Sequence, residues 1–384
     1  MPMSEEERNE FQGSLRHMLD RLSSSTAVRS CLDEALGHDP QLWRQLMELG
    51  YTAIHVPEEF GGAGASYGDL AVVLRELGRH LTPGPFFAHA VLATEAVLAA
   101  DNAALRSELL PQLAAGERIG TLAVVSADGS VESERVSVRS THTDRGLRLS
   151  GTAGFVPDAH VADLLIVGAK NEHDEPVLVA VDTSDPRVSV EPAPMVDRTR
   201  RVSTVALDGV EVARDRLLCD AGASTRSLLD RVNSVAAIAL MADSAGGAEK
   251  VVEEAASYAS ERMQFGRPIG SFQAVKHHCA NMLISVECSK AAVAVAIDAL
   301  DDPSGDTRAA AGVVKSYVGP ACSNVTALGI QVHGGIGFTW EHDSHLFLKR
   351  AKLNEAWFGS ASWHRRRLVA SMLLRSGADT AQGA

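Results

Sequence analysis

The chain has 384 residues, more than one hydrophobic core usually supports, so two or three packed units are expected. Its net charge of −13 gives no basic footprint for nucleic acid or an anionic membrane surface. No run nears the roughly 18–20 apolar residues of a membrane span, since the best stretch, Val235 to Met241, is stopped by Asp243. The start, Met-Pro-Met-Ser-Glu-Glu-Glu-Arg, lacks the basic and apolar regions of an export signal, which points to the cytoplasm. Cys31, Cys219, Cys279, Cys288 and Cys322 show no C-x-x-C spacing, so neither a zinc site nor a disulfide framework is expected, and mostly buried thiols are.

Residues 1–118 read as a helical domain, with apolar residues at three- and four-residue steps such as Leu42, Leu46 and Leu49, closed by Gly50. The turn Pro57-Glu58-Glu59-Phe60-Gly61-Gly62 leads into a further helix across Leu70 to Leu77. Residues 119–224 change texture: the short β-rich runs Leu122–Val125, Leu164–Val167 and Val177–Val181 are separated by turn residues, and Arg139 to Gly151 reads as a hairpin around Asp144-Arg145-Gly146. A small β-sandwich or barrel is expected there. Residues 225–384 return to helices near 227–262, 271–301, 304–332 and 360–375, which suggests an antiparallel four-helix bundle with a frayed tail from Ser376. The whole is an α+β chain in the order helical, β, helical.

Two segments of the C-terminal part have the chemistry of nucleotide contact. In Arg262-Met263-Gln264-Phe265-Gly266, arginine offers bidentate charge to a pyrophosphate, Phe265 an apolar wall and Gly266 room for the backbone; Phe272-Gln273 follows. In Gln331-Val332-His333-Gly334-Gly335-Ile336-Gly337, the glutamine can hydrogen-bond a nucleotide while Gly334, Gly335 and Gly337 admit close approach. Taken singly, each has an ordinary structural explanation, a surface ion pair with a helix cap or a helix-ending glycine turn. Neither these glycines nor Gly61-Gly62-Ala63-Gly64 form a Rossmann fingerprint, because no strand precedes them and no G-x-G-x-x-G spacing exists.

Together with the Pro57–Gly62 turn, the order of the domains, Lys349-Arg350-Ala351-Lys352 and Phe358-Gly359-Ser360, these motifs make the chain resemble the acyl-CoA dehydrogenase family. The resemblance covers nearly the whole length. It implies an FAD-containing tetramer that desaturates an acyl-CoA thioester between α- and β-carbons, passing electrons to an electron-transfer flavoprotein. It implies cofactor contacts from Arg262, Phe265, Gly266, Gln273, Gln331, Gly334, Gly335 and Gly337, reaching toward a neighbouring subunit's ADP moiety.

That reaction requires a carboxylate over the α-carbon. The resemblance places it either before the final Gly-Ser, which is Phe358 here, or on the helix preceding Arg262, which is Ala236 here. Neither accepts a proton, so no catalytic residue is expected. The flavin-facing β segment differs as well: Val125-Ser126-Ala127-Asp128-Gly129-Ser130 is shortened, and Phe155-Val156-Pro157 stands where family members have Trp-Ile-Thr, so both the hydroxyl and the N–H of that threonine are missing. The pattern resembles the subunit without the glutamate in bacterial α2β2 acyl-CoA dehydrogenases of bulky, steroid-type thioesters, as does Gly337-Phe338-Thr339-Trp340-Glu341-His342-Asp343.

Other readings stay open: a homotetrameric dehydrogenase with a relocated base, an acyl-CoA lyase or hydratase, or an acyl-CoA-binding protein. Glu355 lies about 60° and roughly 4.5 Å along a helix from Phe358, and Asp243 about 10 Å past Ala236; an ion-paired or solvated acid is the ordinary reading of both. Glu341, His342, Asp343 and His345 have suitable residue types for zinc but adjacent positions that do not converge, and His277-His278-Cys279 faces the same objection, so no metal is expected. Arg365-Arg366-Arg367 beside Trp363 and His364 could hold a phosphate, but a solvated face or a subunit contact is the ordinary reading. Acyl-chain and partner identity have no signature in the sequence.

Overall fold

A computed structural model of the protein describes residues 3–126, 132 and 136–382, with residues 374–382 as backbone alone. The first helices are α1 (Glu5–Leu22), α2 (Ser25–Asp33), α3 (Pro40–Glu48) and α4 (Tyr67–Arg79). Their boundaries follow from local chemistry. Asp39 caps α3 by accepting the Gln41 N–H at 2.8 Å, and Pro40 occupies the first turn, where its missing N–H costs nothing. Gly50 ends the helix at φ +75°. A π-helix, Phe87–Ala93, then runs into α5 (Thr94–Leu98), followed by α6 (Ala103–Ala114).

The middle of the chain is one seven-stranded sheet: β1 (Gly120–Ala123), β2 (Arg139–Thr143), β3 (Gly146–Pro157), β4 (Leu164–Lys170), β5 (Pro176–Asp182), β6 (Val188–Ala193) and β7 (Val202–Val212). The order is β1-β4-β2-β3-β7-β6, with β5 also paired to β4. β1 and β2 run parallel to β4 while the remaining pairings are antiparallel, so the sheet is mixed. Strand β4 and its neighbours β1 and β5 are buried along almost their whole length, which accounts for their unbroken apolar runs. The expected hairpin is β2–β3, closed through Asp144-Arg145 between Thr143 and Gly146. Phe155 sits at a register shift between β3 and β7, with φ +49°.

The C-terminal elements are α7 (Ala223–Glu261), the short strands β8 (Met263–Gln264) and β9 (Arg267–Pro268), α8 (Gln273–Asp301), α9 (Thr307–His333), α10 (Ser344–Ala356) and α11 (Ala361–Gln382). Helix α9 packs against α8, α10 and α11. Its start is capped by Asp306, which accepts the Ala309 N–H at 2.9 Å. Two features differ from expectation. α10 is an additional helix, and the backbone from Ser376 to Gln382 continues α11 where a frayed tail was expected.

Backbone packing divides the chain into two compact units. One comprises Met1–Arg8, Leu22–Leu70 and Pro83–Ala236; the other comprises Asn9–Arg21, Ala71–Thr82 and Ala237–Ala384. The first contains the sheet, whose core includes Leu147, Leu149, Val156, Leu165, Val179 and Val205. Cys31, Cys219 and Cys322 are buried, Cys279 is half-buried and Cys288 is exposed, and all are free thiols. Among the described residues no helix is long and apolar enough to cross a membrane.

Candidate functional site

Within the second unit the two glycine-bearing motifs come together. Tyr258, one turn before Arg262 on α7, packs its ring 4.6 Å from that of His333, which follows Gln331 at the end of α9. Beyond α7 the chain makes a two-residue hairpin: Gln264 pairs with Arg267 across Phe265 (φ +52°) and Gly266 (φ +78°). Two successive positive φ values define a turn whose twist suits a hairpin, but an aromatic residue there costs about 1–2 kcal/mol relative to glycine. Despite that cost, Phe265 is 91% exposed. Its ring is set edge-on to Phe272, and Arg267 stacks on the same Phe272 ring at 4.1 Å.

The polar groups of this end are unspent. Arg262, Gln273 and Gln331 are exposed, and none has a side-chain partner among the described residues. The glycines divide into two kinds. A Cβ on Gly266, Gly334 or Gly335 would meet nothing within 4 Å, whereas one on Gly337 would lie 3.0 Å from the Ile330 carbonyl oxygen. Gly334 also reverses the chain at φ +67°. A cation, two amides, open backbone and an exposed ring are the groups an anionic nucleotide needs.

The two positions that the resemblance assigns to a base are both buried. Ala236 is fully buried on α7. Phe358, 2% exposed, occupies a left-handed turn (φ +53°) followed by Gly359 at φ +97°, where a Cβ would stand 2.5 Å from the Trp363 ring. Beneath that turn Lys315 is wholly buried, and its Nζ donates to the carbonyls of Asn354 (2.6 Å), Glu355 (3.2 Å) and Trp357 (2.7 Å). Burial pulls this ammonium down to about 7, opposed by the negative charge of Glu355. His364 Nε2 lies 3.0 Å from the Phe358 carbonyl oxygen.

The two neighbouring acids are engaged. Glu355 accepts hydrogen bonds from Ser323 Oγ (2.6 Å) and Lys352 Nζ (3.0 Å); burial would raise its pKa, but these bonds hold it below the ordinary value. Asp243, 1% exposed, accepts from Arg350 Nη1 at 3.2 Å and from Asn354 Nδ2 at 2.7 Å.

Comparison with known proteins identifies the family. The N-terminal domain of acyl-CoA dehydrogenases matches residues 5–117, and the C-terminal domain of acyl-CoA dehydrogenases matches residues 233–373. Acyl-CoA dehydrogenase IpdE2 of Mycolicibacterium smegmatis is 33% identical over 368 residues, which is 96% of this chain and 99% of that one. This chain belongs to the acyl-CoA dehydrogenase family. A solved steroid acyl-CoA dehydrogenase, a point variant of Tcur3481–Tcur3483, superposes with a TM-score of 0.84 at 31% identity, over 97% of this chain and 99% of the other. The ChsE4–ChsE5 complex of Mycobacterium tuberculosis gives 0.86 at 26% identity, over 97% and 98%. A glutaryl-CoA dehydrogenase of Mycobacterium smegmatis, solved with FADH2, shares the acyl-CoA dehydrogenase fold at a TM-score of 0.88 and 18% identity, over 96% of this chain and 95% of the other.

The remaining positions singled out by sequence fall as follows. His342 packs 4.4 Å from His333 and accepts from the Ser344 N–H at 3.1 Å, and His345 stacks on Trp340 at 5.1 Å. These residues serve local packing; among the described residues no group of three potential ligands is arranged to hold a metal ion. Arg367 stacks on Trp363 at 4.3 Å. Pro157 pairs with Val202, and its carbonyl accepts from Thr121 Oγ1 at 2.5 Å. The segment starting at Val125 and Ser126 continues into Ala127–Ser130, outside the described residues. Sequence reasoning missed Lys315, although Ala311, Val314 and Val318 flank it on the buried face of α9 and placed it there by spacing.

Proposed function

We propose that this chain is the non-catalytic subunit of a hetero-oligomeric acyl-CoA dehydrogenase, completing the FAD site of a homologous partner that supplies the base. The reaction served is α,β-desaturation of a bulky, steroid-type acyl-CoA thioester. FAD bound at that site would supply the acceptor for a hydride from the β-carbon, and the electrons would pass on to an electron-transfer flavoprotein. Arg262 would pair with the pyrophosphate, Phe265 and Gly266 would wall the nucleotide, Gln273 and Gln331 would hydrogen-bond it, and Gly334 and Gly335 would let it approach the backbone, while the buried Gly337 packs the turn against Ile330 and His333.

One observation carries the reading: Arg262, Phe265, Gly266, Gln273, Gln331, Gly334 and Gly335 are exposed, while the positions the resemblance gives to the base hold a buried alanine and a buried phenylalanine. The two nearby acids do not compensate, because Glu355 and Asp243 are both committed to hydrogen bonds. Relatedness adds support, since two solved relatives at 31% and 26% identity are described as a steroid enzyme of two named components and as a complex of two chains.

The decisive measurement is FAD per chain, for the protein purified alone and after co-expression with a homologous dehydrogenase subunit from its genomic neighbourhood. Flavin well below one per chain alone, restored with the partner together with acyl-CoA oxidation, is expected. One FAD per chain and turnover without a partner would overturn the proposal in favour of a self-sufficient homotetramer. Product formed without an electron acceptor would point to a lyase or hydratase.

A further inference from the structure

The first unit contains a buried polar group that neither the nucleotide motifs nor the base positions use. Glu95, fully buried, closes a ring of three hydrogen bonds. Arg231 Nε donates to Glu95 Oε1 at 2.7 Å, Tyr67 Oη donates to Glu95 Oε2 at 2.6 Å, and Arg231 Nη2 donates to Tyr67 Oη at 2.8 Å. Removing a carboxylate from water is costly unless it is paired and hydrogen-bonded, so this ring is the condition for Glu95 to be there. The arginine is not consumed by it. Its side chain is 40% exposed, and Nη1 has no acceptor among the described residues.

Beside the ring lies His55, its centroid 5.7 Å from that of Tyr67. It is buried, and neither ring nitrogen has a hydrogen-bond partner among the described residues. A buried polar atom left unpaired costs about 1–3 kcal/mol, so an imidazole with two such atoms requires an explanation. Burial, reinforced by His89 and Arg231, pulls its pKa down to about 4. The ring is therefore neutral at pH 7, with one N–H donor and one acceptor nitrogen. The backbone around Glu95 is also irregular: the residue lies one position past the start of α5, which follows directly on the π-helix Phe87–Ala93, and such turns are frequent at functional sites.

These groups select among ligands by charge. A carboxylate would meet the charge of Glu95, and an ammonium would meet that of Arg231. A hydroxyl or keto oxygen meets no penalty, and finds a guanidinium donor together with the donor and acceptor of His55. The surrounding π-helix is buried throughout, including Phe87, Val91 and Leu92, as are Leu228 and Val235 one turn either side of Arg231. We propose that Arg231 and His55, positioned by Tyr67 and Glu95, bind the hydroxyl or keto oxygen of an otherwise apolar small molecule. This assignment is independent of the subunit role, because every residue in it belongs to one unit of this chain.

The test uses the whole chain and the probes 2-decalone and decahydronaphthalene, with saturation-transfer NMR to obtain affinities. One hydrogen bond from a charged donor predicts about tenfold tighter binding of the ketone. His55→Leu removes no partner from any other group, so it should keep the fold by circular dichroism and bring the two affinities within about twofold. Equal affinities in the unaltered chain, no transfer to the ketone because the cluster holds water only, or a preference that survives His55→Leu would each overturn the proposal. The comparison of the two probes on the unaltered chain stands even if the variant does not fold.

Discussion

Lys315 shows how a single residue can hold the turn at Phe358 in place. Three carbonyls at the end of α10 converge on its Nζ, at 2.6, 3.2 and 2.7 Å. A cation suits that place, because the last carbonyls of a helix are unpaired and carry partial negative charge. Replacing it by methionine preserves length and apolar stem but leaves the carbonyls unmatched inside the protein. Lys315→Met should therefore cost at least about 2 kcal/mol, read as a lower urea midpoint at unchanged slope. An unchanged midpoint would show the turn to be self-supporting. The lysine was legible only in part: Ala311, Val314 and Val318 mark the buried face, but the habit of lysine to reach solvent argues against a role there until its carbonyl partners are seen.

At the level of elements, what the sequence showed and what it hid have a common cause. Long apolar runs such as β4 and the two-residue turn between β2 and β3 were legible because burial there rests on apolar side chains and turn chemistry alone. Helix α10 was not, since two of its inward positions are Arg350 and Asn354, buried through their partner Asp243, so hydrophobic periodicity breaks down. The hairpin at 263–268 was hidden for another reason: its strands have two residues each, and its turn puts a phenylalanine where glycine or asparagine is usual. Similar buried polar pairing ties α1 to α4 inside the second unit, where Glu76 accepts from Arg16 (2.7 and 2.9 Å) and Gln12 (2.6 Å). Burial would raise the pKa of Glu76, yet these hydrogen bonds outweigh it and hold the group below its usual 4.5. A carboxylate depressed in the folded state stabilises fully above its unfolded pKa and loses that contribution as pH falls through the folded value. Glu76→Gln should then destabilise by about 1–3 kcal/mol at pH 7, with the gap to the unaltered protein closing in acid below pH 4.5. Urea midpoints of both proteins on a descending pH series check this, and a gap independent of pH would mean the carboxylate acts only through its shape.

For the whole molecule, the question on the proposed reading is whether a missing carboxylate is the chain's only departure from the family pattern. If only the acid were missing, Phe358→Glu would restore it, because the turn survives: Phe358 already holds a left-handed conformation, Gly359 fits where no Cβ would, and Lys315 anchors the preceding carbonyls. The chain differs elsewhere as well. Pro157 provides no N–H, its carbonyl is taken by Thr121, and Phe155 is turned out at a bulge in the same strand. A glutamate at 358 would also be introduced where Phe358 is now 2% exposed, so its ionised form would be disfavoured unless Lys315 pairs with it. The expectation is that Phe358→Glu, purified alone and supplied with excess FAD, shows no acyl-CoA-dependent bleaching of the flavin band under anaerobic conditions, while on the proposed reading its complex with a homologous partner turns over as before. Bleaching in the isolated variant would instead mean that the absent carboxylate was the whole of the difference, and that the rest of the site had been kept in working order.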